Sequence, residues 1–434
     1  MQQESNRRTR SLMEFLDRSP VNFYAVHTAA ALLESAGYQR LDARDEWHLE
    51  PDGKYFTVKN DSALFAFRVG TGAPHEGFRI IAAHSDSPCF RVKPAALMRG
   101  AGDVARLNVE VYGGPILYTW FDRPLSLAGR VIVRNGDDPL NPRHLLVRFD
   151  RPLLTIPHLA IHFNRNVNEG NRISAQKDML PVIGFVKDGM TDVLPRLLAE
   201  EVGCEPADIL DFDLSLFDTT PACLVGIDNE FITSGRLDDL SMVHAAVTAL
   251  AETDTPCAQT RVAAIFDNEE TGSGTKQGAA SPVLANILRR VCSALGSDRQ
   301  EDFIRAVEKS FMVSADNAHA FHPNYPEKYD PTNHPVPGGG PVIKINARCK
   351  YMTDADSAAV FASICREAGV PCQYFVNHSD VAGGSTLGNI LTSQLPLRGV
   401  DMGEAIWAMH SVRETAAAID HTYTIRAFAR FFAL

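Results

Sequence analysis

The sequence predicts an α/β fold in which a doubly wound mixed sheet is interrupted by an inserted β-rich domain. Strand-like apolar runs alternate with helical segments before residue 90 and after residue 232, as in the βα units of a doubly wound sheet. Between these parts, short β-like pieces are separated by Gly, Pro and Asn, which favours a small β domain. A chain of 434 residues is also long enough for two domains. We therefore expect one domain over residues 1–90 and 233–434 and an inserted domain over residues 91–232.

Periodicity places the first elements. In residues 7–17 and 25–36 the apolar residues recur three and four positions apart, which predicts two helices separated by Ser19-Pro20. The next run, 64–67, is strand-like, and the stronger run 78–83 is apolar with little alternation. The pattern of residues 78–83 favours a strand that is covered on both faces, as in a parallel or mixed central sheet.

The later elements follow from the same patterns. The inserted domain has strand-like pieces at residues 107–112, 129–133 and 144–149. After residue 232 we expect helices at 239–252, 281–295, 354–368 and 414–432, and strands at 261–266, 311–315 and 372–376.

Composition and charge exclude several classes of function. The apolar share of 45% and the charged share of 22% are those of a globular protein. The net charge is −11 and the acidic residues are dispersed, so no nucleic-acid partner is expected. No apolar run approaches the roughly 18 residues of a membrane-spanning helix, and no signal-peptide core follows the amino terminus. The eight cysteines show no CxxC pair, which predicts reduced thiols in a cytoplasmic protein without a membrane partner.

Acidic residues and histidines lie at the ends of several predicted strands or just before helices. In open α/β sheets, binding sites form outside the carboxyl ends of the strands. Five side chains of metal-ligand type occupy such positions: His84, Asp238, Glu270, Asp316 and His410. This number fits two divalent cations with one carboxylate shared between them. Mixed imidazole and carboxylate ligands favour zinc, with manganese or cobalt as alternatives, over calcium.

The adjacent pair Glu269 and Glu270 invites two different roles. Neighbouring residues at a strand end point in different directions, so one can bind a cation while the other accepts a proton from the activated water. Asp86, two residues after His84, would orient one of the ligands. Each of these residues alone has a structural interpretation, such as a helix cap for Asp238. Their joint occurrence in one chain carries the prediction.

Six segments resemble the M18 metallo-aminopeptidases, the aspartyl aminopeptidases of the co-catalytic metallopeptidase clan. The resemblance covers nearly the whole chain in the expected order. The segments are Ala-His-Ser-Asp-Ser-Pro (83–88), Ile-Pro-His-Leu-Ala-Ile-His (156–162), Gly-Arg-Leu-Asp-Asp-Leu (235–240), Asp-Asn-Glu-Glu-Thr-Gly-Ser (267–273), Ser-Ala-Asp-Asn-Ala-His (314–319) and Met-His-Ser-Val-Arg-Glu (409–414).

The resemblance implies a main domain of the zinc-exopeptidase type and a role for each ligand. Asp238 would bridge two ions, with His84 and Asp316 completing one site and Glu270 and His410 the other. Glu269 would be the general base, acting on water held between the ions.

The same resemblance implies roles for residues outside the ligand set. Lys344 would face the acidic side chain of the substrate, and Tyr351 would help to hold the scissile carbonyl. The net charge of −11 adds a physical reason, because an anionic substrate needs a local cation. Members of this family form dodecamers built from dimers through the inserted domain. A histidine of that domain, His158 or alternatively His162, would reach the active site of the neighbouring subunit.

Together these observations predict a di-metal aminopeptidase that removes an N-terminal residue, with a preference for Asp or Glu, from peptides with a free N-terminus. One alternative is a related amidohydrolase or deacylase that acts on acylated amino acids. A second alternative is a non-catalytic assembly protein that has kept the fold.

Overall fold

The computed structural model describes residues 2–187 and 192–434, which form two compact units. The first unit comprises Met1–Asp86, Ala222–Met409 and Glu414–Leu434, and the second comprises Ser87–Pro221 and His410–Arg413. Within the described ranges, no helix combines the length and the apolar character that crossing a lipid bilayer requires.

The helices of the described residues lie mainly in the first unit. In chain order they are Gln2–Arg18 (α1), Asn22–Ser35 (α2), Ala175–Asp178 (α3), Val193–Val202 (α4), Leu237–Glu252 (α5), Val283–Ala294 (α6), Gln300–Glu308 (α7), Ala355–Glu367 (α8), Leu387–Leu391 (α9) and Ala418–Phe432 (α10).

The strands form three sheets. In chain order they are Gln39–Arg40 (β1), Lys54–Lys59 (β2), Ala63–Arg68 (β3), Phe78–His84 (β4), Cys89–Arg99 (β5), Val104–Tyr112 (β6), Leu125–Val133 (β7), Arg143–Arg148 (β8), Val182–Phe185 (β9), Ile209–Asp218 (β10), Cys223–Val225 (β11), Phe231–Ser234 (β12), Thr260–Phe266 (β13), Phe311–Ala315 (β14), Ala318–His319 (β15), Val342–Ile345 (β16), Gln373–Val376 (β17), Arg398–Gly403 (β18), Ala405–Trp407 (β19) and Glu414–Ala417 (β20).

The largest sheet is mixed and belongs to the first unit. Its strand order is β1-β2-β3-β13-β4-β14-β18-β16-β17. The central strands β13, β4, β14 and β18 are parallel, whereas β3 and β16 run antiparallel to their central neighbours. The carboxyl ends of the four central strands therefore meet at one edge of the sheet.

Both faces of this sheet are covered, which confirms the predicted doubly wound α/β class. Alternate residues of β13 enter different cores: Ala263 and Ile265 pack on one face, and Val262 and Ala264 on the other. Helices α1, α2, α5, α8 and α10 cover the first face, and α6, α7 and α9 cover the second. The near-continuous apolar sequence of the central strands is a consequence of this double burial.

A small sheet in the first unit changes two predicted boundaries. Its order is β11-β12-β20-β19-β15, and β20 pairs antiparallel with β12 and β19. The closing helix predicted over 414–432 is therefore wrong for its first four residues, because Glu414–Ala417 is held as a strand by distant partners. The same pairing places β11 and β12 in the first unit, so the predicted boundary at residue 232 lies later than the boundary between the units.

The second unit is built on a six-stranded antiparallel sheet of order β8-β7-β10-β5-β6-β9. Its core includes Phe90, Leu127, Val131 and Leu216, and Trp120 packs edge-on against Phe90 at a centroid distance of 5.1 Å. The short β pieces read from the sequence thus belong to one sheet with its own core.

Candidate metal centre

The parallel strands of the main sheet place several predicted site residues at one edge. His84 is the last residue of β4 and is aligned with Phe266, the last residue of β13. Asp316 follows β14 directly, and β14 is the other neighbour of β4. These strands bring together residues that are more than 200 positions apart in the chain.

A first cluster contains His84, Asp238, Asp239 and Asp316. One potential ligand atom from each of the four residues lies within 4.8 Å of the others, and all four residues are buried. Nε2 of His84 lies 3.6 Å from Oδ1 of Asp238 and 4.0 Å from Oδ2 of Asp239. One imidazole and three carboxylates form a donor set suited to a borderline divalent cation.

A second cluster combines His84 with Glu269 and Glu270. Their potential ligand atoms also lie within 4.8 Å of one another. The two glutamates begin the 3₁₀ turn Glu269–Thr271, which follows Asn268 in a left-handed conformation with φ of 62°. This tight turn directly after β13 directs both acidic residues to the strand end.

Asp86 organises this turn. Its two carboxylate oxygens accept hydrogen bonds from the backbone N–H groups of Glu269 at 3.1 Å and Glu270 at 3.2 Å. Its Oδ1 also lies 3.4 Å from Nδ1 of His84. Asp86 therefore fixes the positions of one imidazole and two carboxylates through its contacts.

The electrostatics of the cluster favour a bound cation. Burial, followed by repulsion from neighbouring carboxylates, raises the pKa of Glu269 to about 8 and the pKa of Glu270 well above its usual range. Burial also raises the pKa of Asp239, and repulsion from Asp316 and Asp238 adds to this effect. Such carboxylates are costly to ionise together without a positive charge among them.

Asp239 provides a direct observation on whether the residues fit a metal. It is fully buried, and its Oδ2 accepts a hydrogen bond from the backbone N–H of His84 at 3.1 Å. Its Oδ1 is buried without a hydrogen-bond partner among the described residues. Buried polar atoms normally have a partner. A cation bound between this oxygen, the imidazole and the two other carboxylates would supply it.

Residues that the sequence analysis did not assign also hold this site. Glu414 accepts a hydrogen bond from the backbone N–H of Asp238 at 2.9 Å through Oε2. Asn317 donates to the carbonyl of Leu237 at 2.7 Å and to Oγ of Ser241 at 3.0 Å. The quoted motifs contain Asp239, Asn317 and Glu414, so their position beside predicted ligands was the available signal.

Lys344 is buried beside Asp316. Its ammonium group donates to the carbonyls of Asp316 at 2.7 Å and Asn317 at 3.2 Å, and lies 3.6 Å from Oδ1 of Asp316. Burial opposes its charge most strongly, but Asp316, Tyr351 and Asp401 act together in the opposite direction and raise the pKa of Lys344. The ring of Tyr351 lies 5.4 Å from the ammonium nitrogen, so the two predicted substrate-binding residues are neighbours.

His410, His158 and His162 belong to the second unit. His410 has a left-handed backbone with φ of 69°, and its Nδ1 lies 3.0 Å from the carbonyl oxygen of Gly114. The ring of His158 packs edge-on against Phe121, and its Nδ1 lies 2.8 Å from the carbonyl oxygen of Leu159. His162 is exposed. The ligand and subunit-contact roles of these histidines remain predictions.

Comparisons with known proteins agree over nearly the whole chain. The family model described as aminopeptidase I zinc metalloprotease (M18) matches residues 15–432. A probable M18 family aminopeptidase 2 of Clostridium novyi (strain NT) is 47% identical over 426 residues, or 98% of each chain. A chain in the cryo-EM structure of the Ape4 and Nbr1 complex has a TM-score of 0.95 and 36% identity, over 99% of this chain and 86% of that one. The S. cerevisiae mApe1 dodecamer has a TM-score of 0.85 and 26% identity, over 98% and 97% of the respective chains.

Proposed function

The chain belongs to the M18 family of zinc metalloproteases and is an aminopeptidase, and we propose that its reaction takes place at the buried cluster around His84. The observation that carries this proposal is the convergence of one imidazole and three carboxylates within 4.8 Å at the carboxyl edge of the main sheet. The hydrogen bonds from Glu269 and Glu270 to Asp86 support it, because they hold two further carboxylates at the same edge.

We propose that this cluster holds two divalent cations, zinc first and manganese or cobalt as alternatives. Asp238 would be shared, with His84 and Asp316 on one side and Glu270 with His410 on the other. The buried Oδ1 of Asp239 supports a cation beside His84, and His410 enters on the resemblance of its segment alone. When bound, such ions polarise a carbonyl and make water nucleophilic near neutral pH.

Glu269 is proposed as the general base. Its potential ligand atom lies within 4.8 Å of those of His84 and Glu270, where a carboxylate could accept a proton from water and return it. Glu269 would take a proton from the attacking water and pass it to the leaving amine. Asp86 would keep the carboxylate in place through the backbone of the turn, and Tyr351 would help to hold the scissile carbonyl.

A preference for N-terminal Asp or Glu is proposed from Lys344. Its ammonium group is buried, charged and adjacent to Asp316. Once the Asp316 carboxylate is committed to a cation, the ammonium becomes available to pair with an acidic substrate side chain. A buried ammonium group is costly without a partner of opposite charge. An acidic substrate side chain would supply that partner and a neutral one would not, so acidic residues should be preferred.

The test combines metal analysis with a substrate panel. Purified protein should contain divalent metal, lose activity on chelation and regain it when zinc, manganese or cobalt is returned. It should hydrolyse Asp- and Glu-anilides faster than Leu-anilide and leave N-acylated amino acids intact. Turnover of the acylated compounds alone would favour the deacylase alternative, and activity that survives complete metal removal would refute the metal centre.

The proposed function also includes an oligomeric assembly and a location in the cell. We propose a cytoplasmic homododecamer built from dimers, with the second unit making the dimer contact, because the S. cerevisiae mApe1 relative was solved as a dodecamer. Sites that face the inside of a closed assembly would admit peptides and exclude folded proteins. Native mass spectrometry should show twelve copies of the 47.6 kDa chain, and fractionation should place it in the cytoplasm. A stable monomer would contradict this assembly.

A further inference from the structure

One cavity in the first unit contains none of the residues proposed for catalysis or metal binding. It has a volume of about 280 Å³ and lies between β2, β3, the segment 43–47 and the start of α6. Phe65, Val283 and Ile287 supply apolar walls. This volume is sufficient for a small organic ligand.

Thr57 gives this cavity a polar group that lacks a partner. Thr57 on β2 is aligned with Phe65 on β3, so the two side chains lie on the same face of the hairpin, toward the cavity. The residue is only 3% exposed. Its Oγ1 has no hydrogen-bond partner among the described residues. A buried hydroxyl without a partner is costly, and a ligand oxygen in the cavity would remove that cost.

The charged residues that line the cavity are all cationic. Lys59 and Lys276 have no carboxylate within ion-pair distance in the part of the chain that the structure describes. Arg290 is fixed at the wall, because Nη1 donates to the carbonyl of Ala43 at 2.8 Å and its guanidinium lies 3.8 Å from the ring centroid of Trp47. The net charge of the chain is −11, but the charged side chains that line this cavity are all positive. The cavity therefore has a local positive potential.

The amino end of α6 adds to this positive potential. Ser281, Pro282 and Val283, at the start of this 12-residue helix, line the cavity. Pro282 has no N–H and the N–H of Val283 donates to Oγ of Ser281 at 3.3 Å, so this helix end contributes the positive end of its dipole. The helix end, two lysines and a buried hydroxyl therefore converge beside apolar walls.

We propose that this cavity binds a small organic anion, a carboxylate or a phosphate monoester attached to an apolar body. The anionic group would pair with Lys59 and Lys276 near the start of α6. A ligand oxygen would accept the hydrogen bond of Thr57 Oγ1, while the apolar body contacts Phe65, Val283 and Ile287. The ligand should be negatively charged because the charged lining residues are positive. It should carry an apolar part because the other walls of the cavity are apolar.

Binding is tested on the intact, metal-loaded enzyme by isothermal titration calorimetry. Benzoate and phenyl phosphate distinguish the two anion classes, and benzyl alcohol is the neutral control of similar shape. We expect saturable binding of at least one anion, with an affinity that weakens as ionic strength rises, and no saturation with benzyl alcohol. Saturable binding of neither anion would overturn the proposal.

Variants locate the binding. Thr57→Val keeps the shape of the side chain and removes the hydroxyl, and Lys59→Ala removes one cation. Each should raise the Kd of the anion at least tenfold while peptide hydrolysis persists, which shows that the enzyme is folded. Lys328→Ala, which removes an exposed lysine that does not line the cavity, is the matched control and should leave Kd unchanged. Equal Kd values in all three variants and the parent chain would place the anion elsewhere and overturn the proposal.

Discussion

At the scale of single residues, Asp86 contacts three other residues of the site, His84, Glu269 and Glu270. It accepts hydrogen bonds from two successive backbone N–H groups and approaches Nδ1 of His84 at 3.4 Å. One carboxylate thus links the end of β4 to the turn after β13. Asp86 is better described as a positioning residue than as a group that takes part in bond breaking.

We predict that Asp86→Asn lowers both kcat and metal affinity by about 10- to 100-fold, as is typical for partners of metal ligands. The amide nitrogen cannot accept a hydrogen bond, so one N–H of the turn loses its partner. Steady-state kinetics and chelator competition measure the two effects. The matched control is Asp354→Asn, since Asp354 also caps a backbone N–H, on α8, away from the site. Equal losses in both variants would reduce Asp86 to a general contributor to stability.

Glu269→Gln should lower kcat by about 10²- to 10⁴-fold while metal content stays unchanged, because the amide keeps the shape of the side chain but cannot accept the proton. Metal analysis and single-turnover kinetics check both parts. Glu270→Gln is the contrasting variant and should lose metal. Full activity in Glu269→Gln would remove this residue from the mechanism and would reopen the search for a base.

Lys344→Met is predicted to reduce kcat/KM for Asp-anilide at least tenfold more than for Leu-anilide. Some loss on both substrates is expected, because the lysine also contacts Asp316 and the carbonyl of Asn317. The ratio of the two kcat/KM values is the measurement. An unchanged ratio would assign Lys344 to holding Asp316 and would leave the acidic preference without a residue.

The sequence motifs indicated which segments form this cluster, but they did not indicate every residue within each segment that contributes to it. His84, Glu269, Glu270 and Asp316 were predictable, because each follows an apolar strand of a parallel sheet. Asp239 was not singled out, because an Asp-Asp pair before a helix is also an ordinary helix start. Its position in the cluster depends on the hydrogen bond from the backbone of His84, a contact across 155 positions that no local pattern contains.

At the scale of elements, a buried hydrogen-bonded chain connects three helices to the main sheet. Oγ of Ser11 on α1 lies 2.9 Å from Nε2 of His244 on α5, whose Nδ1 lies 2.8 Å from Nε2 of His421 on α10. Nδ1 of His421 lies 3.0 Å from Oε1 of Glu404, between β18 and β19. Burial lowers the pKa of His421 to about 3 and raises that of Glu404 to about 8, so both are neutral near pH 7.

These two pKa shifts predict how stability depends on pH. Folded Glu404 keeps its proton while the unfolded residue loses it above about 4.5, so its contribution is present below that value and is lost as pH rises toward 8. His421 acts in the opposite sense, since only the unfolded chain binds its proton between about 6.5 and 3. The two contributions oppose each other between pH 4.5 and 6.5, and above that range Glu404 acts without His421.

Glu404→Gln should therefore flatten the fall in stability between pH 6.5 and 8 by on the order of 2 kcal/mol, because the amide does not ionise. The measurement is the urea unfolding midpoint of variant and parent at pH 6.5, 7.25 and 8. Asp420, whose pKa burial raises to about 7, acts in the same direction and is common to both proteins. Parallel curves for the two proteins would show that Glu404 is not the titrating group.

Strong local sequence patterns predicted the central strands and helices. Short strands that form only because distant strands pair with them were missed or were assigned to helices. The strands around β4 and β13 and the helices α5 and α6 have apolar patterns long enough to be recognised. Residues 414–417, predicted as the start of a helix, form β20 because β12 and β19 pair with them from distant positions. Alanine-rich sequence there has no intrinsic strand preference, so tertiary pairing overrides propensity.

At the scale of the whole molecule, the second unit presents apolar side chains on the segment that contains His158 and His162. Leu159, Ile161 and Phe163 are 56%, 51% and 81% exposed. Clustered exposed apolar residues are characteristic of protein interaction surfaces. They support the proposed dimer contact, and the exposure of His162, in contrast to the packed ring of His158, favours His162 as the histidine that reaches a neighbouring subunit.

Phe163→Asp should therefore break the assembly into smaller species, measured by mass photometry, because a buried unpaired charge opposes the contact. His162→Ala should leave the mass unchanged and lower kcat. Leu140→Asp is the control, since Leu140 is 87% exposed on a different loop of the second unit. A full-size assembly in Phe163→Asp would move the dimer contact to another surface.

The strand order of the main sheet determines when, during synthesis and folding, the proposed ligands can come together. Its acidic edge draws on residue 84, on residues 238–239 and 269–270, and on residue 316, so no stretch emerging early from the ribosome contains a complete set of ligands. We therefore expect a nascent or truncated polypeptide to be inactive toward peptides. We expect hydrolysis only after synthesis has passed residue 410, the last proposed ligand, and the sheet has closed.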